Sequence, residues 1–241
     1  MLLLSTAADL YWLGRYLSRT QTLLSALLQA FNVPTRDNLT IPLSMTATGA
    51  YYYQQYNELK DTYIAAFFMD AQNSSSLSYC INAFRTDAQA TRGRLSQALW
   101  LAINTLYLDW QAAALTQKDF ADVMQRHQAL QAQLNDLMTS IEHEPDAQVK
   151  LFIKIGLCIE VLDNMMRYSL IKYNGDFDVD AALQQVAILQ QQLEQLPHIV
   201  WGQVNEGVHQ LQQAIASQPQ AFLMQQHLQN VTKALSDVFA N

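Results

Sequence analysis

Apolar residues recur along this chain every three to four positions, the period of an α-helix with one buried face. Near the start Leu10, Leu13, Leu17, Leu24, Leu28 and Phe31 keep that rhythm. They predict a helix over about 6–31 that stops before Pro34, with Thr6 and Asp9 in capping-box-like spacing at its start. Residues 32–49 carry Pro34, Pro42 and Gly49 and read as a loop. A helix with an aromatic face follows over 51–71. Asn73, Ser74, Ser75 and Ser76 are cap formers, and a long helix should run over about 77–115, bent near Gly93. Thr116 and Asp119 repeat the capping spacing and open a helix that ends at Glu142, before Pro145. Residues 147–173 are helical and stop at Asn174-Gly175, a C-cap pair. Asp178 or Asp180 caps the next helix, which ends before Pro197, and two more follow over 199–217 and 220–240. No linker is polar enough to divide the chain. The expectation is an all-α fold: a single domain over 1–241, built as one bundle of about seven to eight helices.

A repeat lies inside this pattern. A shift of 142 residues brings Leu10, Leu13, Leu17, Leu24 and Leu28 onto Phe152, Ile155, Ile159, Met166 and Leu170. Any two amphipathic helices match to this extent, but Gly14 also falls on Gly156. A glycine inside a helix costs about 1 kcal/mol against alanine, and one use of it is to let another backbone approach closely. The bundle is therefore expected to contain a pseudo-duplicated core helix.

Composition narrows the class. Half of the 241 residues are hydrophobic, only 15% are charged, and Gln, at 29, fills part of the gap. Seven Gly and five Pro are too few for the frequent turns of a sandwich or barrel. The net charge of −7 makes a nucleic-acid backbone a poor partner. Cys80 and Cys158 lie far apart with no CxxC and read as buried, reduced thiols of a cytoplasmic protein. The first residues lack the basic stretch of a signal peptide. The most apolar later stretch, 151–162, is short and holds Lys154 and Glu160, so no membrane span is expected.

The flank beside the later apolar stripe holds Gly156, Glu160, Asp163 and Arg167. Their spacing of four, three and four stacks them over three turns, with Asp163 and Arg167 as an i,i+4 pair. The equivalent first-helix positions are Gly14, Ser18, Gln21 and Ser25, with Arg15 and Arg19 nearby. A plain reading is a solvated flank with one ion pair of about 0.3–0.5 kcal/mol. Elsewhere, Glu206 and His209 form a lone E-x-x-H. A di-iron bundle needs two such motifs and further carboxylates, so no metal and no cofactor is expected. Cys158, among Ile155, Leu157 and Ile159, reads as an inert core thiol.

The segment from Leu10 to Arg19, LYWLGRYLSR, resembles the opening helix of the alpha-E family, helical proteins of uncharacterised function named for a Glu-Arg motif. Asn73 to Ser76, Asp87 to Arg92, and Leu95 to Trp100 with Asn104 are similar to a second stretch of that family. Gly156 to Arg167 is similar to its second motif. The chain departs from the pattern: Ser18 stands where the first motif has Glu, Val161 where the second has Arg, Gln89 where the family shows Arg and Ser74 where it shows Pro. It reads as a divergent, shortened member. What remains of the charges is Arg19, Arg92, Glu160, Asp163 and Arg167, expected to meet across helices, with Arg15 and Tyr11 beside them. Three arginines against two carboxylates would leave a positive charge for an anion.

The resemblance implies association with circularly permuted ATP-grasp ligases and transglutaminase-like proteins, hence peptide or amide-bond metabolism. Three functions follow as expectations. One is a helical partner or substrate-presenting protein of such a ligase, whose Arg/Glu cluster binds an anionic group. The second is an enzyme that uses Glu160 as general acid/base. The third is a degenerate scaffold. A pocket at Glu160 would favour the enzyme, an exposed apolar patch the partner, and a dry, paired ionic core the scaffold.

Overall fold

The computed structural model describes residues 2–116, 119–171, 177–217 and 221–240. Among these residues the chain is all helix, in eleven segments rather than seven to eight: α1 (Leu4–Asn32), α2 (Arg36–Met45), α3 (Gly49–Gln55), α4 (Asp61–Met69), α5 (Leu77–Ala90), α6 (Gln97–Thr116), α7 (Phe120–Glu142), α8 (Ala147–Ile171), α9 (Val179–Leu193), α10 (His198–Ser217) and α11 (Ala221–Ala240). The count rises at three places, each for a physical reason.

The first is the expected loop at 32–49, which contains α2. Thr35 caps α2 by accepting from the Asn38 N–H at 3.2 Å, and Leu39, Pro42, Leu43 and Met45 are buried. Ala47, at φ 54°, ends it. The Thr48 N–H donates to Leu43 O at 2.9 Å and the Ala47 N–H to Ser44 O at 3.1 Å, a Schellman closure. The second is the expected helix over 51–71, which breaks into α3 and α4. Tyr56 is extended, at φ −129°, and the buried Tyr52 hydroxyl donates to Glu58 O at 2.7 Å, holding the break. Tyr52, Tyr56 and Tyr63 stack with centroids 5.0 and 5.1 Å apart, so the aromatic face packs within the fold. The third is the expected long helix over 77–115, which divides at Thr91–Ser96 instead of bending. Ser96 caps α6 by accepting from the Leu99 N–H, while the Ser96 N–H donates to Glu144, a buried carboxylate 48 positions away.

Other ends follow the sequence more closely. Ser76 caps α5 by accepting from the Tyr79 N–H at 3.0 Å. Asp178, rather than Asp180, caps α9. α7 begins with Asp119 as its cap, and Asp119 and Asp122 exchange side-chain and backbone hydrogen bonds, so the box is one turn later than Thr116. Asn174-Gly175 lies outside the described residues.

The contacts divide the chain into two compact units, residues 1–15 with 147–241, and residues 16–146. In the first, α8 packs on α9, α9 on α10, α10 on α11, and α11 back on α8. Their buried positions keep strict three-four spacing: Ala182, Val186, Leu189 and Leu193 in α9; Trp201, Val204, Val208, Leu211 and Ile215 in α10; Met224, Leu228, Val231 and Leu235 in α11. That is the packing rhythm of a four-helix bundle. The start of α1 joins this unit, with the Tyr11 ring 5.4 Å from Phe239.

The second unit runs from the rest of α1 to α7. Its core includes Phe67, Phe68, Phe84 and Trp110. Phe31 lies 5.3 Å from Phe120 and 5.6 Å from the His127 ring. Among the described residues no helix is long and apolar enough to cross a membrane.

Candidate functional site

The site grows from a helix crossing. A Cβ placed on Gly14 would collide with Ile153 O and lie 3.0 Å from Leu157 N. A Cβ on Gly156 would collide with Tyr11 O and lie 3.0 Å from Arg15 N. Under the 142-residue shift Tyr11 corresponds to Ile153 and Arg15 to Leu157, so the two sets of contacts are reciprocal. The start of α1 and α8 therefore cross backbone against backbone at the two glycines.

This crossing fixes what lies one turn further along. Arg15 Nε donates to Glu160 Oε2 at 2.7 Å, and Arg15 Nη2 lies 2.7 Å from the same oxygen. Arg15 Nη2 also reaches Asp163 Oδ2 at 3.4 Å, and Arg167 Nη2 donates to that oxygen at 2.7 Å. Arg15 Nη1 lies 3.3 Å from the Tyr11 hydroxyl. The guanidinium faces the Tyr11 and Trp12 rings at 5.9 and 5.3 Å. Burial works against the Arg15 charge. The Glu160 carboxylate beside it, with hydrogen bonds to Glu160 and the Tyr11 hydroxyl, outweighs burial and holds its pKa above the ordinary arginine value. Burial likewise raises the Tyr11 pKa, keeping the phenol neutral.

Exposure decides what this group can do. The Glu160 side chain is 0% exposed, those of Arg15 and Asp163 are 10% and 11%, and only Arg167 opens to 36%. A general acid/base needs access to a substrate proton, and Glu160 has none. Two guanidiniums face two carboxylates, so the formal charges of these four residues balance. The arrangement is an ionic lock across a close crossing, of the kind in which removing one partner strands a buried charge.

Of the residues expected to meet, the structure joins Glu160, Asp163 and Arg167, with Arg15 and Tyr11. The first-helix arginine seen on Glu160 is Arg15, which the sequence placed beside the cluster. Arg19 belongs to residues 16–146 and lies 5.6 Å over the Tyr16 ring. Arg92 belongs there too, exposed and 5.0 Å over the Trp100 ring. Substituting Arg92 by Met should therefore cost under about 1 kcal/mol, the size of an exposed cation–π contact. A thermal melt checks this, and a loss of several kcal/mol would place Arg92 in a structural network.

Sequence reasoning missed a second buried polar group, on α7. Arg126 lies 3.7 Å over the Trp110 ring and donates to Trp110 O at 2.7 Å, and burial lowers its pKa to about 10. His127 is fully buried, and its Nδ1–H donates to Val123 O at 2.7 Å. Its Nε2 is buried without a hydrogen-bond partner. The signal was there: Val123, His127, Leu130, Leu134, Leu137 and Ile141 keep the four-three rhythm of the α7 seam. Burial lowers the His127 pKa to about 4, so the folded protein holds the ring neutral.

The sign of the pH effect follows. An unfolded histidine binds a proton below about pH 6.5, and the folded one does not until about pH 4. The stability His127 contributes is full above pH 6.5 and is lost as the pH falls through that window, by roughly 3 kcal/mol. Urea titrations of the natural chain and His127→Leu across pH 7 to 4 should show a steeper decline in the natural chain. Parallel declines would mean that His127 takes up its proton in the folded state.

Burial pushes the Cys158 thiol up to about 12, and its Sγ donates to Gln185 O at 3.1 Å, so it is no nucleophile. Glu206 and His209 are exposed and hydrogen-bonded to Gln210 and Gln213. Among the described residues no three metal-ligating side chains gather.

The Alpha-E family model, described as a predicted alpha-helical domain with a conserved ER motif, matches residues 2–193 of the 241. The match ends at the last residue of α9, so α10 and α11 lie beyond it. Neither a curated protein nor a solved structure matches the chain.

Proposed function

This chain belongs to the Alpha-E family, and we propose that it works as a non-catalytic helical partner of an ATP-grasp-type peptide or amide ligase. One observation carries the non-catalytic half of this reading: Glu160, the best general acid/base in the sequence, is fully buried and held by Arg15. The ligase half rests on the family's resemblance-implied association. The buried thiols Cys80 and Cys158, neither in a disulfide, fit a reducing cytoplasmic setting. The paired ionic core, the mark of a scaffold, serves structure by holding α8 against the start of α1, while the exposed Leu101 and Leu108 favour a partner. Recognition of an anionic group on the ligase or its substrate falls to cations outside the lock, because Arg15 and Arg167 both engage carboxylates.

The test is reconstitution. A purified circularly permuted ATP-grasp ligase and a transglutaminase-like protein from the same source are assayed for ATP turnover with and without this chain. The reading expects ligase turnover to rise severalfold and to saturate at one chain per ligase. It expects the chain alone to turn over nothing. Unchanged ligase turnover would contradict the partnership, and product formed by the chain alone would contradict the non-catalytic assignment.

A further inference from the structure

α6 carries two stripes at helical spacing, one buried and one exposed, the second apolar except at Thr105. Its inner seam, Leu99, Ile103, Leu106 and Trp110, is buried. Its outer positions Leu101, Thr105, Leu108 and Ala112 repeat the same four-three-four spacing and are exposed, Leu101 by 50% and Leu108 by 53%. Ala98 extends that stripe by one step. A solvated helix face is normally polar, and contiguous exposed apolar surface marks an interaction site. From Ala98 to Ala112 the stripe is about 21 Å long, since a helix rises 1.5 Å per residue.

Two arginines edge this stripe. Trp100, Asn104, Tyr107 and Gln111 form its half-buried flank toward α5. Arg85 lies 4.9 Å over Tyr107 and 5.9 Å over Trp100, and Arg92 lies 5.0 Å over Trp100. Arg85 donates to Gln89 Oε1 at 2.6 Å and to Asn104 Oδ1 at 3.5 Å. Amides and rings thus orient the guanidiniums, and among the described residues neither forms an ion pair with a carboxylate.

We propose that this face docks an acidic amphipathic helix of a partner protein. Apolar side chains at three-four spacing would lie on Leu101 and Leu108, and carboxylates on one flank would meet Arg85 and Arg92. The proposal rests on the reading of the chain as a partner protein and says where the partner sits. The length of the stripe favours a helix over a small anion, which would leave Leu101 and Leu108 uncovered. Charge favours a different protein over a second copy. The only acidic residue of α6 is Asp109, and its Oδ2 already accepts from Gln133 Nε2 at 2.6 Å. A second copy laid α6 on α6 would bring the arginines no matching row of carboxylates.

The probe is a synthetic helix of about five turns, with Leu at three-four spacing and Glu along one flank, titrated against the full chain by fluorescence anisotropy. A second peptide carries Lys in place of Glu. The Glu peptide should bind and the Lys peptide should not. Arg85→Gln with Arg92→Gln should weaken binding by roughly tenfold or more, as loss of charged hydrogen bonds does, and Leu108→Lys should abolish it. Circular dichroism melts of the variants confirm that they fold.

Equal binding of the two peptides, or binding unmoved by the arginine variants, overturns the proposal. So does no binding of the Glu peptide. Self-association in sedimentation that Leu108→Lys removes would assign the face to a second copy and also overturn it. The same variants added to the ligase assay separate this proposal from the function. If the natural chain stimulates the ligase and the variants do so equally well, the docking face is wrong and the partnership stands. If the natural chain does not stimulate, the partnership fails and the peptide titrations still judge the face.

Discussion

Alanine at Gly14 should destabilise the protein by about 3 kcal/mol or more, the upper end of what overpacking costs. The obstacle to the new methyl is backbone, Ile153 O and Leu157 N, so no side chain can swing aside. One helix must move or the crossing must open. Alanine's helix propensity works in the opposite direction by about 1 kcal/mol and does not offset a collision with backbone. Gly156→Ala should behave the same way, because its methyl meets Tyr11 O and Arg15 N. Gly93→Ala is the control. Nothing lies within 4 Å of its added Cβ, so its effect should stay within about 0.5 kcal/mol, as at an open surface position. Urea denaturation followed by circular dichroism measures all three. Losses under about 1 kcal/mol at Gly14 and Gly156 would mean that the crossing yields easily.

Replacing Arg15 by Met should cost about 3–5 kcal/mol, the range for breaking a buried pair from one side. Methionine fills much of the space but leaves the fully buried Glu160 without the guanidinium that donates to it at 2.7 Å. Asp163 retains Arg167 at 2.7 Å and is more exposed, so the loss falls mainly on the buried Glu160. Arg167→Met should cost far less, within about 1 kcal/mol, since its side chain is 36% exposed and exposed i,i+4 pairs contribute little. The contrast between the two arginines separates a buried lock from a surface charge pattern. Equal effects would contradict it.

How much of this was legible can be read from particular residues. The seams of α9, α10 and α11 carry unbroken three-four spacing, and local periodicity suffices where each helix buries one stripe. The Gly14 and Gly156 pair was legible because glycine inside a helix is costly enough to need a reason. Glu160, Asp163 and Arg167 were legible because they share one helix flank. Arg15 was placed beside the cluster and Arg19 within it, because the two are one turn apart on the same helix. Only the phase of the crossing, with the Arg15 backbone against Gly156, says which of them reaches Glu160.

The missed helix breaks have causes that helical periodicity does not carry. The gap between α5 and α6 is fixed partly by Glu144 accepting from Ser96, and no local pattern encodes a partner 48 positions away. Tyr52, holding the α3–α4 break through Glu58, looks in sequence like one more aromatic on a helix face. Pro42 argued for a loop, yet α2 forms around it because Leu39, Pro42, Leu43 and Met45 are buried together. Tertiary burial overrode propensity there. His127 is polar and so looks out of place in a core, although its four-three spacing with Val123 and Leu130 sets it in the α7 seam.

The most direct test of the ionic lock is a double-mutant cycle of Arg15→Met and Glu160→Met, measured by urea denaturation at neutral pH. If Arg15 and Glu160 serve structure, each single variant loses several kcal/mol, while the double variant recovers most of it, because a buried ion pair exchanged for apolar residues is often neutral or stabilising. The coupling energy should reach about 3 kcal/mol, the upper range for residues in direct contact. Additive losses, or a Glu160→Met chain of undiminished stability, would contradict the lock.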